Sequence, residues 1–379
     1  MNRLVIIGNG FDMAHGLRTS YMDFINWYWD QRVYGFIGKT TNVSQDCLCK
    51  LVIKETGDFS CWNVFAASNS YFFKDLYQKE RYSGSEVFQE IKQHPETFMV
   101  ECSPFFETIL QSIESKGWVD IENDYYQLLK DSINNPRCEY TITGLNQQLA
   151  FIQSKLVEYL STIKEGEYKS EYQKAITDYF NPDDFSTEGR VRALDNMGLD
   201  FDRPYDKQYF QEEHEKLAPE RIMLLSFNYT KTAQLYGGSN VVHNYIHGGL
   251  TRPETIIFGY GDELDKNYQD ILDKNNNELL KNVKSIKYLE RRHYHDLLEF
   301  ISSNPFQVLI MGHSCGNSDR TLLNTVFEHE NCISIKPFYH KWADGRDNYL
   351  ELVQNISLCF TNTKLFRDRV VNKELCQTM

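Results

Sequence analysis

The chain begins with a short apolar run, Arg3 to Ile7, that ends in the glycine turn Gly8-Asn9-Gly10. Glycines directly after a buried strand allow a phosphate to approach the backbone, and a following helix N-terminus adds oriented N–H donors. Phe11 and Asp12 complete this GNGFD segment. The hydride-transfer fingerprint requires a third glycine where Met13 stands, so a dehydrogenase is disfavoured. The segment indicates either a nucleotide site or simply a tight turn.

A second polar segment, SFNYT, occupies Ser226 to Thr230 and directly follows the apolar run Ile222 to Leu225. In open α/β sheets, residues just beyond the carboxyl ends of the strands line the ligand crevice. The amide of Asn228 both donates and accepts, so it can hold a ribose hydroxyl or orient a water molecule. The competing interpretation is an asparagine that caps the next helix.

His247 stands where the apolar run from Val241 to Ile246 ends, beside Gly248. An imidazole at this position can act as a general base on a sugar hydroxyl or a water molecule near neutral pH. A buried histidine satisfied by hydrogen bonds is the competing interpretation. His243 shares a strand face with His247, but the sequence identifies no third ligand, so no metal is expected.

The segment GHSCG, Gly312 to Gly316, follows the apolar run Val308 to Met311 and matches the letters of a nucleophile elbow with Ser314 as the nucleophile. Asp319, with His329 or His340, supplies an acid and a base in the chain order of a hydrolase triad. The acid would then come only five residues after the serine, on the elbow's own helix. A serine hydrolase is therefore disfavoured.

The elements that position these residues form an α/β pattern. Recurrent short apolar runs predict strands at Arg3–Ile7, Ile222–Leu225, Val241–Ile246, Thr255–Phe258, Val308–Met311 and Cys332–Ile335. Helical periodicity marks Ser20–Trp29, Asn69–Leu76, Pro104–Leu129 and Leu145–Leu160, and crossover helices fit within Asp265–Ile301. We expect a Rossmann-like fold with a mainly parallel sheet.

The predicted domain organisation separates a Rossmann-like core from an insertion. Residues 1–34 and 216–379 are assigned to the core, and residues 35–215 to a mostly helical insertion after the first strand. The polar stretch from Lys164 to Pro219, most of which lies in the insertion, has weak periodicity, so we expect an exposed and partly helical excursion there.

Composition limits the classes of function. With 40 basic and 53 acidic residues, the net charge of −13 makes a broad nucleic-acid binding surface improbable. No apolar run approaches the roughly 20 residues needed to span a bilayer, and the first run is too short for a signal peptide. We therefore predict a cytoplasmic protein whose nine cysteines are reduced thiols. A symmetric homo-oligomer is expected from frequency alone.

Taken together, the motifs resemble the AbiH family of bacterial abortive-infection proteins. The resemblance rests on GNGFDMAHGLRTSYMDF at the start, then WVDIE, SFNYT, YIHGG, FGYGDE and GHSCGNSD in the same order. It spans nearly the whole chain. It implies a bacterial defence effector against phage that responds to an unidentified phage-derived trigger.

This family in turn looks distantly similar to the sirtuin-like NAD-consuming domains of antiphage systems. That resemblance implies hydrolysis of NAD at the nicotinamide–ribose bond without a metal, with His247 as base, Asn228 holding the ribose or the water, and Asp12 beside the developing positive charge. It implies that the nucleotide itself is contacted by a further set of residues: Gly8, Asn9, Gly10, Phe11, Ser226, Ser314 and Asp319.

Other functions remain open at this point. A nucleotide-binding sensor or scaffold that never turns NAD over would use the same loops. A serine hydrolase or a nuclease built on the histidine and aspartate residues is less favoured.

Overall fold

Five apolar segments form one parallel β-sheet in the computed structural model of the protein, which describes residues 1–34, 43–54, 82–116, 120–135, 138–199 and 212–379. The strands along the chain are β1 (Asn2–Ile7), β2 (Val43–Gln45), β3 (Cys49–Ile53), β4 (Phe98–Cys102), β5 (Ile222–Ser226), β6 (Val241–Tyr245), β7 (Phe306–Met311) and β8 (Cys332–Phe338). The parallel sheet has the order β6-β5-β1-β7-β8. The predicted α/β class with a parallel sheet is confirmed.

The strand order is that of a doubly wound Rossmann-like sheet. β1 lies in the centre, pairs with β5 on one side and with β7 on the other, and the order reverses between β1 and β7. All five strands point the same way, so their carboxyl ends share one edge. Ligands of open α/β sheets bind at this edge, near the point of reversal.

Helices complete the fold. They are α1 (Asn9–Ala14), α2 (Tyr21–Tyr34), α3 (Gly84–Gln93), α4 (Pro104–Lys116), α5 (Ile121–Asn134), α6 (Ile142–Leu160), α7 (Ser170–Thr177), α8 (Thr187–Asn196), α9 (Tyr268–Asp273), α10 (Asn277–Leu280), α11 (Lys284–Tyr288), α12 (His293–Ser303), α13 (Arg320–Phe327), α14 (Tyr349–Leu358) and α15 (Thr363–Arg369). Across the described residues, none of these helices is long and apolar enough to cross a membrane.

One predicted strand does not form, and one predicted helix lies outside the described residues. The predicted strand Thr255–Phe258 was wrong, because the chain makes a 3₁₀ turn at Pro253–Thr255 and then runs without a strand partner. Proline lacks an N–H and starts such turns readily, and the Ile257 N–H donates to the carbonyl of His247 instead of to a strand ladder. The predicted helical piece Asn69–Leu76 lies outside the described residues.

Alternation along β1 divides the core into two faces. Leu4 and Ile6 pack into one buried apolar cluster, whereas Val5 and Ile7 pack into another on the opposite face. Successive strand residues point to opposite faces, and a sheet covered on both sides needs apolar residues throughout. The central strand is accordingly buried along its entire length.

The described residues separate into two compact units. The first comprises Met1–Arg18, Ile163–Lys274 and Asn282–Met379, and contains the parallel sheet. The second comprises Thr19–Thr162 and Asn275–Lys281. The predicted boundaries at residues 34 and 215 therefore differ from these limits at both ends.

The second unit contains helices and a small antiparallel sheet in the order β2-β3-β4, which the sequence did not reveal. Its core includes the Trp29 ring stacked on Phe88, with the ring centroids 3.6 Å apart. Asp120, from the WVDIE motif, caps α5 by accepting a hydrogen bond from the Asn123 N–H. Trp118 of the same motif lies outside the described residues.

The stretch that begins at Lys164 is partly helical, as predicted, and many of its described residues are exposed, but one face of it is buried. Tyr172 and Ile176 of α7 are buried against the first unit's sheet, and Asp184 is buried as well. Lys336 of β8 donates to both oxygens of the Asp184 carboxylate at 3.0 Å, and Gln307 of β7 donates to the same group at 3.2 Å. The contacts of Asp184 are made by charged and polar side chains, which the periodicity of apolar residues does not predict.

The Lys336–Asp184 pair gives a test of the fold. We expect Asp184→Ala to lower the free energy of unfolding by about 3–5 kcal/mol, because it leaves the Lys336 ammonium buried without its partner. Asp183→Ala is the matched control, since Asp183 is exposed and its carboxylate pairs with Arg190 at 3.4 Å, an interaction worth about 0–1 kcal/mol. Denaturant unfolding of both variants measures the difference, and equal small losses would show that the buried pair is not formed.

Candidate functional site

Four loops meet at the carboxyl edge of the parallel sheet. Asn228, which follows β5, donates from Nδ2 to the carbonyl of Gly8 after β1 at 2.9 Å. The Phe227 ring lies 5.0 Å from the His247 ring, which follows β6, and 4.3 Å from the His313 ring, which follows β7. The structure therefore brings together the separate motifs that the sequence singled out.

The glycines of the first turn are required by the packing of the turn against the loop after β7. A Cβ on Gly8 would lie 2.4 Å from the Cα of His313, and one on Gly10 would lie 2.9 Å from the Cα of Gly312. Heavier side chains do not fit at these distances. The N–H groups of Gly8, Gly10 and Phe11 donate to backbone carbonyls, so these three amides do not offer donors to a phosphate.

Asp12 joins the first turn to the loop after β5. The residue is 1% exposed, and its Oδ2 accepts a hydrogen bond from the Thr230 hydroxyl at 2.6 Å. Burial raises the pKa of Asp12, although the hydroxyls of Thr230 and Thr232 and the Asn228 side chain oppose that shift. Within the described chain, the other oxygen, Oδ1, accepts no hydrogen bond. Asp12 thus has one carboxylate oxygen engaged in fixing the loops.

Asn228 is not a helix cap, because the next regular element, a 3₁₀ turn at Thr232–Leu235, begins later. Its backbone N–H donates to Oγ of Ser226 at 3.2 Å, and Ser226 is buried. The side-chain bond to Gly8 holds the glycine turn in place. The predicted residues Ser226 and Asn228 therefore order the loop.

The predicted base His247 belongs to a buried charged cluster with Asp319. Its Nε2 lies 3.3 Å from Asp319 Oδ1 and 3.0 Å from the Tyr288 hydroxyl. Lys284 donates to the same Asp319 oxygen at 2.8 Å and is 0% exposed. His313 Nε2 lies 3.4 Å from Oδ2. One carboxylate thus faces two imidazoles and an ammonium group.

A backbone hydrogen bond indicates which ring nitrogen of His313 carries the proton. Its Nδ1 accepts a hydrogen bond from the Cys315 N–H at 2.9 Å. A neutral imidazole that accepts at one nitrogen carries its proton on the other, so Nε2–H of His313 donates to Asp319. For His247, the same carboxylate favours the tautomer with its proton on Nε2, the nitrogen that also hydrogen-bonds the Tyr288 hydroxyl. Nδ1 of His247, to which no group in the described residues hydrogen-bonds, then carries the lone pair of a base.

The electrostatics maintain this arrangement near neutral pH. Burial alone would raise the pKa of Asp319, but Lys284 and the two imidazoles hold it well below its usual range. Burial, followed by the positive charge of Lys284, lowers the pKa of His247 although Asp319 opposes them. An ionised carboxylate beside a neutral imidazole is the arrangement of a general base with its orienting partner.

The geometry of the loop after β7 argues against the serine hydrolase alternative. Ser314 is exposed, and the left-handed backbone that a nucleophile elbow places at its serine falls instead on Cys315, with φ of 54°. Asp319 contacts His247 and His313 rather than His329 or His340. Ser314 and Asp319 therefore do not belong to one triad.

Sequence reasoning missed two members of the cluster. His313 lies within the GHSCG segment, but the match of that segment to a nucleophile elbow directed attention to Ser314. Lys284, the first residue of α11, belongs to no motif. It is placed by the FGYGDE segment, since its N–H donates to the carbonyl of Tyr260. A lysine without a motif could be found only through its spatial neighbours.

The cluster makes a prediction about titration. We expect the pKa of His247, followed by NMR of labelled histidine, to lie below 6.5 and to rise in Lys284→Met, because the substitution removes a cation that disfavours imidazolium. Lys287→Met is the control on the same helix, as the Lys287 ammonium contacts the Phe258 carbonyl and Asn282. A His247 pKa that stays constant in Lys284→Met, or rises equally in the control, would contradict the cluster.

In the part of the chain that the structure describes, no group of three or more histidine, cysteine, aspartate or glutamate residues is arranged to hold a metal.

Comparison with known proteins gives one family. No curated protein matches the chain significantly. No solved structure does so either. Residues 4–340 match the model of the family described as bacteriophage abortive infection AbiH. The chain therefore belongs to the AbiH family and has a role in abortive infection, a defence against bacteriophage.

Proposed function

We propose that the protein is a defence effector that hydrolyses NAD at the nicotinamide–ribose bond. The observation that carries the proposal is the buried pair of His247 Nε2 and Asp319 Oδ1, 3.3 Å apart at the carboxyl edge of a doubly wound sheet. The lowered pKa values of both groups favour a neutral imidazole beside an ionised carboxylate. Nucleotides are the common ligands of this edge. Depletion of NAD in an infected cell accords with the defence role of the family.

The reaction needs little from the protein beyond positioning and electrostatics. Cleavage of the nicotinamide–ribose bond sends its electron pair to the nicotinamide nitrogen and leaves an oxocarbenium-like ribose. Water adds to that carbon and gives up a proton, so NAD and water become nicotinamide, ADP-ribose and a proton. His247 Nδ1 accepts this proton from the water or from a ribose hydroxyl.

The other residues contribute by holding the loops. Asn228 fixes the glycine turn through the carbonyl of Gly8. Asp12 has one carboxylate oxygen engaged by Thr230. In its ionised form, which burial opposes, it places a negative charge near the same edge. Preorganised groups of this kind stabilise developing charge without a cost of reorganisation at the moment of reaction.

A second candidate is a sensor that binds a nucleotide without hydrolysing it. The observation that favours it is the burial of His247, which is only 4% exposed. A general base must meet the water or the substrate, whereas a protein that only binds a nucleotide needs no accessible base. In either case a phage-derived component is the proposed trigger of the response.

Nicotinamide release separates the two candidates. We expect purified protein, with phage lysate added, to release nicotinamide from NAD, and His247→Ala to slow release by about 10²–10⁴-fold, the contribution of a general base. Asn228→Ala should also reduce release, because the glycine turn loses its anchor. The rate should fall only at acidic pH, as the lowered pKa of His247 keeps the base unprotonated near pH 7.

His340→Ala is the control, since His340 is exposed beyond β8 and, within the described residues, contacts none of the cluster. Thermal melting verifies that each variant is folded. Binding of NAD by calorimetry without nicotinamide release would reject hydrolysis and leave the sensor. Release that His247→Ala does not slow would reject the assigned base.

A further inference from the structure

Two cysteines face each other in the antiparallel sheet of the second unit. Cys49 of β3 is paired in register with Cys102 of β4, and their Sγ atoms are 3.6 Å apart. Both residues carry free thiols. No motif marks this pairing, since 52 residues separate the two positions in the chain.

The strand register places Cys49 and Cys102 where a disulfide can form between them without movement of the backbone. The hydrogen bonds from Ser103 N–H to the Leu48 carbonyl and from Lys54 N–H to the Thr97 carbonyl mark the hydrogen-bonded pairs. Cys49 and Cys102 stand at the alternate, non-hydrogen-bonded pairs, whose Cα atoms are about 4.5 Å apart. Disulfides accept Cα separations of about 4.4–6.8 Å.

The two thiols differ in reactivity. The hydrogen bond between the two thiols lowers the pKa of Cys102, although burial opposes that effect. The same hydrogen bond, together with burial, raises the pKa of Cys49. Cys102 is partly exposed and lines an open groove of about 480 Å³ with Lys92 and Glu107, whereas Cys49 is buried. Cys102 is thus the attacking thiolate and Cys49 the resolving thiol.

We propose that Cys49 and Cys102 form a reversible disulfide by exchange with a low-molecular-weight disulfide such as oxidised glutathione. The Cys102 thiolate attacks one glutathione sulfur, and the other glutathione leaves as thiolate. Cys49 then loses its proton and attacks Sγ of Cys102, which releases the second glutathione. Two protein thiols are oxidised and one glutathione disulfide is reduced to two thiols.

The disulfide joins β3 to β4 across the segment that connects them. A covalent link between residues so far apart in the chain restricts the unfolded ensemble, so the oxidised second unit melts at a higher temperature. The site acts through the second unit and does not depend on whether the protein hydrolyses NAD.

Peptide mapping tests the proposal. Full-length folded protein is incubated with oxidised glutathione, alkylated, digested without reductant and analysed by mass spectrometry. We expect the peptide linking Cys49 to Cys102 to be the dominant disulfide, to disappear with dithiothreitol and to be lost in Cys102→Ser. Cys47→Ser removes an exposed thiol two residues from Cys49, and should leave the linked peptide unchanged.

Three outcomes would overturn the proposal. Stable glutathione on Cys102 without the linked peptide would show that Cys49 does not resolve it. A dominant link through Cys47 would show that the strand register does not select the pair. An unchanged melting temperature in protein that carries the Cys49–Cys102 link would reject the stabilisation of the second unit.

Discussion

The buried carboxylate of Asp319 is the interaction on which the candidate site depends. An isolated carboxylate in a protein interior is strongly unfavourable unless hydrogen bonds and opposite charge compensate it. Here Lys284 supplies the charge, and the imidazoles of His247 and His313 supply further donors. Removal of one partner therefore affects the others, and the four residues are best regarded as a single electrostatic unit.

The parallel sheet explains why residues from distant segments can form that unit. His247 follows β6, whereas His313 and Asp319 follow β7, and the carboxyl ends of these strands lie at the same edge. Lys284 lies in the segment that connects β6 to β7 and passes this edge of the sheet. The strands of the sheet are mainly apolar, and the polar side chains Lys336 and Gln307 are engaged by Asp184. The loops at the carboxyl edge hold the charged cluster. Chemistry is consequently concentrated there.

Most of the central sheet could be predicted from the sequence, because its strands are continuous apolar runs between turn signals. β1, β5, β6, β7 and β8 were found in this way, as were the helices whose apolar stripe is regular, such as α2 and α6. The chain around Asp184 was misjudged, since its contribution to the core is made by charge pairs that have no periodicity. The small sheet of the second unit was missed for a related reason: its strands are short and half exposed.

The candidate site was predictable to the level of its loops but not of its contacts. His247 and Asp319 were both singled out, yet the sequence placed Asp319 beside the nucleotide and did not pair it with the histidine. Pairing across more than 70 residues depends on the order of strands in the sheet, which a single sequence does not state. Lys284 had no motif to mark it, so only the folded chain could reveal its role.

The close contact between the first glycine turn and the loop after β7 has a mechanical consequence. Gly8 and Gly10 leave no gap to His313 and Gly312, and closely packed interiors transmit displacement instead of absorbing it. The two loops must therefore shift as one rigid body. Anything that pushes on the turn after β1 also moves the imidazole of His313, and with it one of the donors that hold the Asp319 carboxylate. A displacement of the first glycine turn is in this way transmitted to the buried Asp319 carboxylate.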